Sequence, residues 1–211
     1  MNKPVDKTDA YAALRIAAFR HFQLSRFLLT FAIQMAETII AWKIYETTNS
    51  KLALGMLGLS EALPFIVTSF YGGHAADTFN RYRIARITIV CITLCFALIG
   101  VVMSGQAELI QQYGALPIFI IIGVTGVVRG FMAPAYQSIF PQLIPRELYA
   151  NAATWGSNAW QTAAVAGPAF GGIIYGFVGI ELSFVLAVVL MIASFFVFRQ
   201  IPVQQLSLIH I

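Results

Sequence analysis

Six long apolar stretches, separated by short polar connections, dominate the pattern of hydrophobic and polar positions along the chain. They are Phe22–Tyr45, Leu52–Ala76, Ile84–Met103, Ala115–Ile139, Leu148–Phe177 and Leu182–Phe198. About 20 residues of α-helix cross the hydrocarbon core of a bilayer, so each stretch is long enough to span it. The pattern predicts an all-α integral membrane protein with six transmembrane helices, the fifth of which extends to the cytoplasmic interface or beyond.

The distribution of Lys and Arg predicts the orientation of these helices. Of the 13 basic residues, ten precede or open the first stretch or follow the second, fourth and sixth stretches. Lys43 and Lys51 lie near the alternate connections, and Arg129 lies inside the fourth stretch. Cytoplasmic loops carry the excess of Lys and Arg, so we expect a multi-pass protein of the cell (inner) membrane with a cytoplasmic N-terminus.

The two ends of the chain differ from the apolar stretches. Residues 1–21 are polar or mixed and form a cytoplasmic N-terminal segment. Within it, Asp9–Arg20 is either an interfacial helix with Asp9 as its N-cap or a disordered tail. Leu206–Ile211 match the in-frame translation of a common transposase-end sequencing adaptor. We therefore expect a library artefact at 206–211, with a natural tail as the alternative, and a helical bundle over 22–205.

Composition narrows the class of protein. Charged residues make up 10% of the chain and hydrophobic residues 59%, whereas soluble domains carry about 25% charged residues. The basic residues behind the net charge of +4 form no continuous patch, which argues against nucleic acid as a partner. Cys91 and Cys95 lie one helical turn apart and suggest neither a disulfide framework nor a metal site. We expect no metal and no cofactor.

A short motif follows the second stretch. The segment Gly72–Arg83 resembles the signature G-x-x-x-D-(R/K)-x-G-(R/K) of the major facilitator superfamily of transporters. The matching residues are Gly73, Asp77 and Arg81. Thr78 replaces the usual basic residue, and Asn80 replaces the usual glycine of a tight turn, whose left-handed backbone Asn tolerates. The resemblance implies a conformational latch in which Asp77 contacts the other half of the transporter. The alternative is a plain basic loop, which would not explain Gly73 and Asp77.

A second motif lies in the fifth stretch. Gly167, Pro168, Gly171 and Gly172 resemble the G-P-x-x-G-G motif of the exporting, antiporter branches of the same superfamily. They continue two stripes of small residues that predict close helix packing, and Pro168 invites a bend. Further likeness to bacterial efflux members is found in Gln34–Met35, Trp42, Leu52–Gly55, Ser60–Pro64, Arg129–Pro134 and Phe140–Pro145.

Three charged residues lie inside predicted spans: Glu37, Glu61 and Arg129. A charge near the bilayer centre costs about 2.5 kcal/mol or more, so each should face a cavity or a partner. Glu37 and Arg129 are the expected facing pair, because the resemblance places the first and fourth helices around a central cavity. Glu37 and Glu61 are then candidates for proton coupling. The alternative is a structural role, with the charges satisfied by one another or by backbone.

The resemblance as a whole implies the amino-terminal half of a twelve-helix major facilitator fold, with 3+3 inverted repeats. It implies a secondary active transporter that exports a small amphiphilic molecule by proton antiport through alternating access. Expected partners are the missing C-terminal half, a small-molecule substrate, protons and the lipid bilayer. The alternative is a structural or assembly-partner membrane protein. An intramembrane enzyme is disfavoured, because the spans carry no nucleophile with a base and no paired aspartates.

Overall fold

The computed structural model describes residues 9–104 and 114–202, and the expected artefact at 206–211 lies outside them. All regular structure in the described residues is helical, and five helices are long and apolar enough to cross a membrane. They are α1 (Ala17–Thr48), α2 (Lys51–Thr78), α3 (Arg81–Ser104), α4 (Leu116–Ile139) and α5 (Tyr149–Arg199). Short 3-10 turns lie at Ala13–Arg15, Phe140–Gln142 and Arg146–Leu148. The prediction of an all-α protein with several membrane helices is confirmed.

The fifth and sixth predicted spans form one helical run, α5, which is interrupted at Gly179. The run has 51 residues, or about 75 Å at the usual helical rise, whereas a bilayer core is about 30 Å thick. Gly179 has φ 76° and ψ −176°, a backbone geometry that a residue without a Cβ adopts readily. We call 149–178 the first arm and 180–199 the second arm.

Contacts with α1 show that the chain reverses direction at Gly179. In the first arm, Gly156 lies against Gln23. In the second arm, Ser194 exchanges hydrogen bonds with Ser25, at 2.9 Å from Ser25 Oγ to the Ser194 carbonyl oxygen. Residues 23 and 25 lie at the same level of α1, so the two arms run side by side in opposite directions.

Capping residues end and begin the helices at the connections. Asn49 takes the left-handed conformation, φ 49°, where α1 ends, and Ser50 Oγ accepts a hydrogen bond from the Ala53 amide to cap α2. Asn80 Oδ1 accepts from the Arg83 amide at 3.1 Å. Asn80 therefore caps α3, and its φ is not positive, so the expectation that it replaces glycine in a left-handed turn is wrong.

A stripe of small residues on the first arm packs against α1. Its buried members are Ala152, Gly156, Ala163, Gly167 and Gly171. A Cβ on Gly171 would lie 2.7 Å from the Met35 carbonyl oxygen, so only glycine permits this approach of the two backbones. Gly172, on the second predicted stripe, has no atom within 4 Å of such a Cβ. Pro168 leaves the arm helical, because Gly179 has the only non-helical backbone geometry in α5.

Helices α2 and α4 also approach each other through small residues. Gly126 meets the backbone of Glu61, Gly130 meets Thr68, and Gly72 meets the Gly130 carbonyl. The contacts advance in the same direction along both helices, so α2 and α4 run parallel. A Cβ on Gly73 would meet no atom within 4 Å, so Gly73 takes no part in this contact.

The described part of the N-terminal segment packs against the start of α5. Asn151 Nδ2 donates to the Ala10 carbonyl at 2.8 Å, and Trp155 Nε1 donates to the same oxygen at 2.9 Å. Asp9 accepts from the Tyr11 amide in a local turn, and no continuous helix covers 9–20. The N-cap role expected for Asp9 is therefore wrong, since α1 begins only after the extended Ile16.

The glycine stripe makes a testable prediction. Gly171→Ala should destabilise the chain by about 1–3 kcal/mol, because the new methyl group forces α1 and the first arm apart. Gly172→Ala is the matched control, and it should be neutral or stabilising, since alanine favours the helix and has open space there. Thermal unfolding of the purified chain in detergent micelles measures both. Equal midpoints for the two variants would contradict the packing described.

Candidate functional site

A cavity of about 760 Å³ lies between α1, α2, α4 and the first arm of α5. Each helix presents one face to it, with lining residues three or four positions apart, as a helical stripe requires. On α4 these are Arg129, Met132, Ala133, Tyr136 and Gln137. Among the described residues, neither α3 nor the second arm contributes to the lining. The volume lies in the range of about 300–1,000 Å³ that is typical of small-molecule sites.

Three charged side chains meet beside this cavity. Arg129 Nη1 lies 2.9 Å from Glu37 Oε1 and also forms an ion pair with Glu61 Oε1. The three side chains come from α4, α1 and α2, so this cluster, which we call the charge triad, joins three helices. Their exposed fractions are 25%, 24% and 20%, so the triad is not sealed in the core, and Arg129 and Glu61 line the cavity.

The local sequence explains why these three groups can meet. Gly126, which precedes Arg129 by one turn of α4, lets that helix contact the backbone of α2 at Glu61. A larger residue at Gly126 would separate Arg129 from Glu61. Two carboxylates and one guanidinium leave the triad with a net negative charge when all three groups are ionised. Such an excess is unfavourable away from water.

Arg26 is a cavity residue that the sequence analysis treated only as part of the positive-inside bias. It lines the cavity from α1, and none of the ion pairs among the described residues includes it. Arg26, Thr30, Ile33 and Glu37 recur at helical spacing on one face of α1, a signal that was present in the sequence. Arg26 lies about 16 Å from Glu37 along the helix axis, toward the N-terminal end of α1.

The motif residues after α2 lie away from the cavity. Asp77 is exposed, and no hydrogen bond or ion pair joins its side chain to another residue in 9–104 or 114–202. Arg81 Nε donates to the Ala76 carbonyl at 3.1 Å and so closes the end of α2. Asp77 and Arg81 are one helical turn apart in the sequence, but no ion pair joins them in the described part of the chain.

The residues of the second motif lie on two different faces of the first arm. Gly167 and Gly171 are buried against α1, at Gln34 and Met35, and none of the motif's residues lines the cavity. Pro168 is half-buried and Gly172 is exposed. Trp160, earlier on the same arm, lines the cavity and is half exposed. The first arm therefore separates its packing residues from its cavity residues.

Comparison with known proteins gives related transporters. The chain is 25% identical over 193 residues to the staphyloferrin A transporter of Staphylococcus aureus. This alignment covers 87% of the chain and 47% of the relative. It is 26% identical over 174 residues to the uncharacterised MFS-type transporter YkuC of Bacillus subtilis. That alignment covers 80% of the chain and 39% of the relative. The chain spans half or less of the length of these relatives.

A family profile covers nearly the whole chain. Residues 8–207 match MFS_3, a family described as transmembrane secretion effectors. The match includes the four helices that line the cavity, the triad, and both motifs. Members of this superfamily are transporters, not enzymes. The chain therefore belongs to the transmembrane secretion effector family of major facilitator superfamily transporters.

Proposed function

We propose that this chain is the amino-terminal half of a secondary transporter that exports a small amphiphilic molecule by proton antiport. The observation that carries the proposal is the cavity of about 760 Å³ with the charge triad at its edge. A solvent-accessible cluster of two carboxylates and one cation within the apolar bundle can bind and release a proton. The family's description as secretion effectors supports outward transport.

The proposed half consists of six spans arranged as 3+3 inverted repeats. The first arm of α5 supplies the fifth span and the second arm the sixth, with Gly179 at the outer turn. The reversal between the arms supports this assignment, as does the bias of basic residues toward one side. The same bias supports a cytoplasmic N-terminus for the bundle, which we assign to the inner membrane.

The second half of the transporter would cover faces that this chain leaves exposed. Of the residues in α2, Gly72 and Ala76 are the buried ones. Large apolar side chains stand exposed along α2, including Leu59, Leu63, Ile66 and Phe70, and along the first arm, including Val165, Phe170 and Phe177. Both helices flank the cavity, so a second bundle on these faces would complete its wall.

The triad suggests how proton movement is coupled to conformation. Arg129 holds α4 to both α1 and α2 while the two carboxylates are charged. Protonation of Glu37 or Glu61 removes one of these attractions and loosens one helix from the others. Entry of a proton from outside and its release inside would then alternate with substrate movement. In this mechanism Glu37 or Glu61 carries the proton and Arg129 keeps the other carboxylate charged.

The coupling role predicts a selective loss of transport. In the complete protein, Glu37→Gln or Glu61→Gln should abolish proton-driven efflux while insertion and folding persist, because the amide keeps the shape but cannot release a proton. Glu181→Gln is the matched control, since Glu181 is exposed and is neither a lining residue of the cavity nor a member of the triad. Efflux is measured in everted membrane vesicles with an imposed pH gradient. Unchanged efflux in both triad variants would exclude these residues from coupling.

The motif after α2 is the proposed conformational latch, made of Gly73, Asp77 and Arg81. Asp77 is exposed at the end of α2 and free of partners among the described residues, so it is available to the second half. Arg81 closes the end of the same helix and keeps it in place, and the open space beside Gly73 admits a helix from that half. The resembled signature stabilises the outward-open state.

The latch makes its own prediction. Losing a hydrogen bond to a charged group costs about 1.5–3 kcal/mol, so Asp77→Asn should shift the two-state population toward inward-open by about tenfold or more. Turnover should slow, whereas Asp77→Glu should be milder because the charge survives. Cysteine accessibility from the two sides of the membrane reports the population. Equal labelling of the wild type and Asp77→Asn would contradict the latch role and leave Asp77 as a solvated residue at the end of a helix.

A further inference from the structure

The cavity has a second charged position besides the triad. Arg26 lines its cytoplasmic part, is only half-buried, and has no acidic partner in the described part of the chain. Arg129 is the other basic residue among the described lining residues of the cavity, and it is paired with two carboxylates. A guanidinium inside an apolar bundle needs a counter-charge, and an anionic substrate can supply it at this position.

The neighbours of Arg26 can complete an anion site. The Tyr136 side chain lies beside it on α4, and the buried Tyr136 hydroxyl lies close to Ser25 of α1. Gln137, on the same helix, also lines the cavity and carries amide donors. Arginine presents a planar fork of donors that matches the two oxygens of a carboxylate. The Ser25 hydroxyl is already paired with Ser194, so the Tyr136 hydroxyl can donate to an anion beside Arg26.

The rest of the cavity defines the other end of the ligand. Between Arg26 and the triad the wall carries Leu29, Ile33, Phe65 and Met132, and Trp160 adds an indole ring. A molecule that places an acidic group at Arg26 would therefore lay an apolar or aromatic body along this wall. The distance of about 16 Å from Arg26 to the level of Glu37 accommodates a small amphiphile.

We infer that Arg26 and Tyr136 form an anion-binding subsite, so that the substrate class is amphipathic carboxylic acids. The inference rests on the proposed transport function and names the class of its cargo. It assigns Arg26 to the ion pair with the carboxylate and Tyr136 to a supporting hydrogen bond. The triad remains free for the proton, because the two groups lie at different depths of the cavity.

The test uses two probes of one shape and different charge, 1-naphthaleneacetate and 1-naphthaleneacetamide. Equilibrium dialysis measures their binding to the complete protein in phosphatidylcholine nanodiscs, with empty nanodiscs as the blank. We expect the wild type to bind the acid about tenfold more tightly than the amide, the usual scale for a charge-assisted hydrogen bond. Arg26→Gln should abolish this preference without weakening amide binding. Arg26→Lys should retain part of it, and Tyr136→Phe should reduce it.

The control is Arg20→Gln, which removes the same charge from the exposed start of α1 and should keep the full preference. A wild type with no preference for the acid, whether it binds both probes or neither, would overturn the inference. So would an acid preference that persists in Arg26→Gln, or one that Arg20→Gln abolishes equally. Binding at equilibrium needs no proton gradient, so its failure is distinguishable from a failure of proton-driven efflux.

Discussion

The ion pairs of Arg129 with Glu37 and Glu61 are the constraint around which the bundle is organised. Charges in an apolar surrounding must be matched, and matching them here requires α1, α2 and α4 to converge at one depth. Convergence of three helices opens a space on one side of them, which the first arm of α5 closes into a cavity. The ion pairs of the triad therefore account both for the charges at the site and for the positions of the helices that form its walls.

Small residues make this convergence possible. Gly126 and Gly130 bring α4 against α2, and Gly167 and Gly171 bring the first arm against α1. In lipid there is little hydrophobic gain from pressing two apolar helices together, so close backbone contact and dispersion supply much of the attraction. The stripes place the helices at distances that the short reach of a glutamate side chain can bridge to Arg129. Packing and charge pairing thus support each other.

The sequence predicted the helices well and the contacts less well. Apolar runs and charge bias are strong one-dimensional signals, so most predicted spans lie within a few residues of α1 to α4. The reversal at Gly179 was anticipated only as a gap between two runs. Close approach at Gly72 rather than Gly73, and capping rather than a turn at Asn80, depend on which face of a helix meets its neighbour. A single sequence does not specify that rotation.

The candidate site was predicted in part. Glu37, Glu61 and Arg129 were conspicuous, because charged residues inside apolar runs are rare. That a single nitrogen of Arg129 pairs with both carboxylates depends on the parallel packing of α2 and α4 and required coordinates. Arg26 was overlooked because its position near the start of a span fits the positive-inside bias equally well. Only its place on the face that carries Glu37 distinguishes it.

The central claim is that the charges of the triad depend on one another, and a comparison of thermal unfolding midpoints tests it most directly. Arg129→Met in the complete protein leaves two carboxylates unmatched and should be strongly destabilising, by about 3 kcal/mol or more. Adding Glu37→Gln and Glu61→Gln to that variant removes the unmatched charges. The account predicts that the triple variant unfolds at a higher temperature than Arg129→Met alone. A triple variant that is less stable, by the sum of the separate effects, would contradict it.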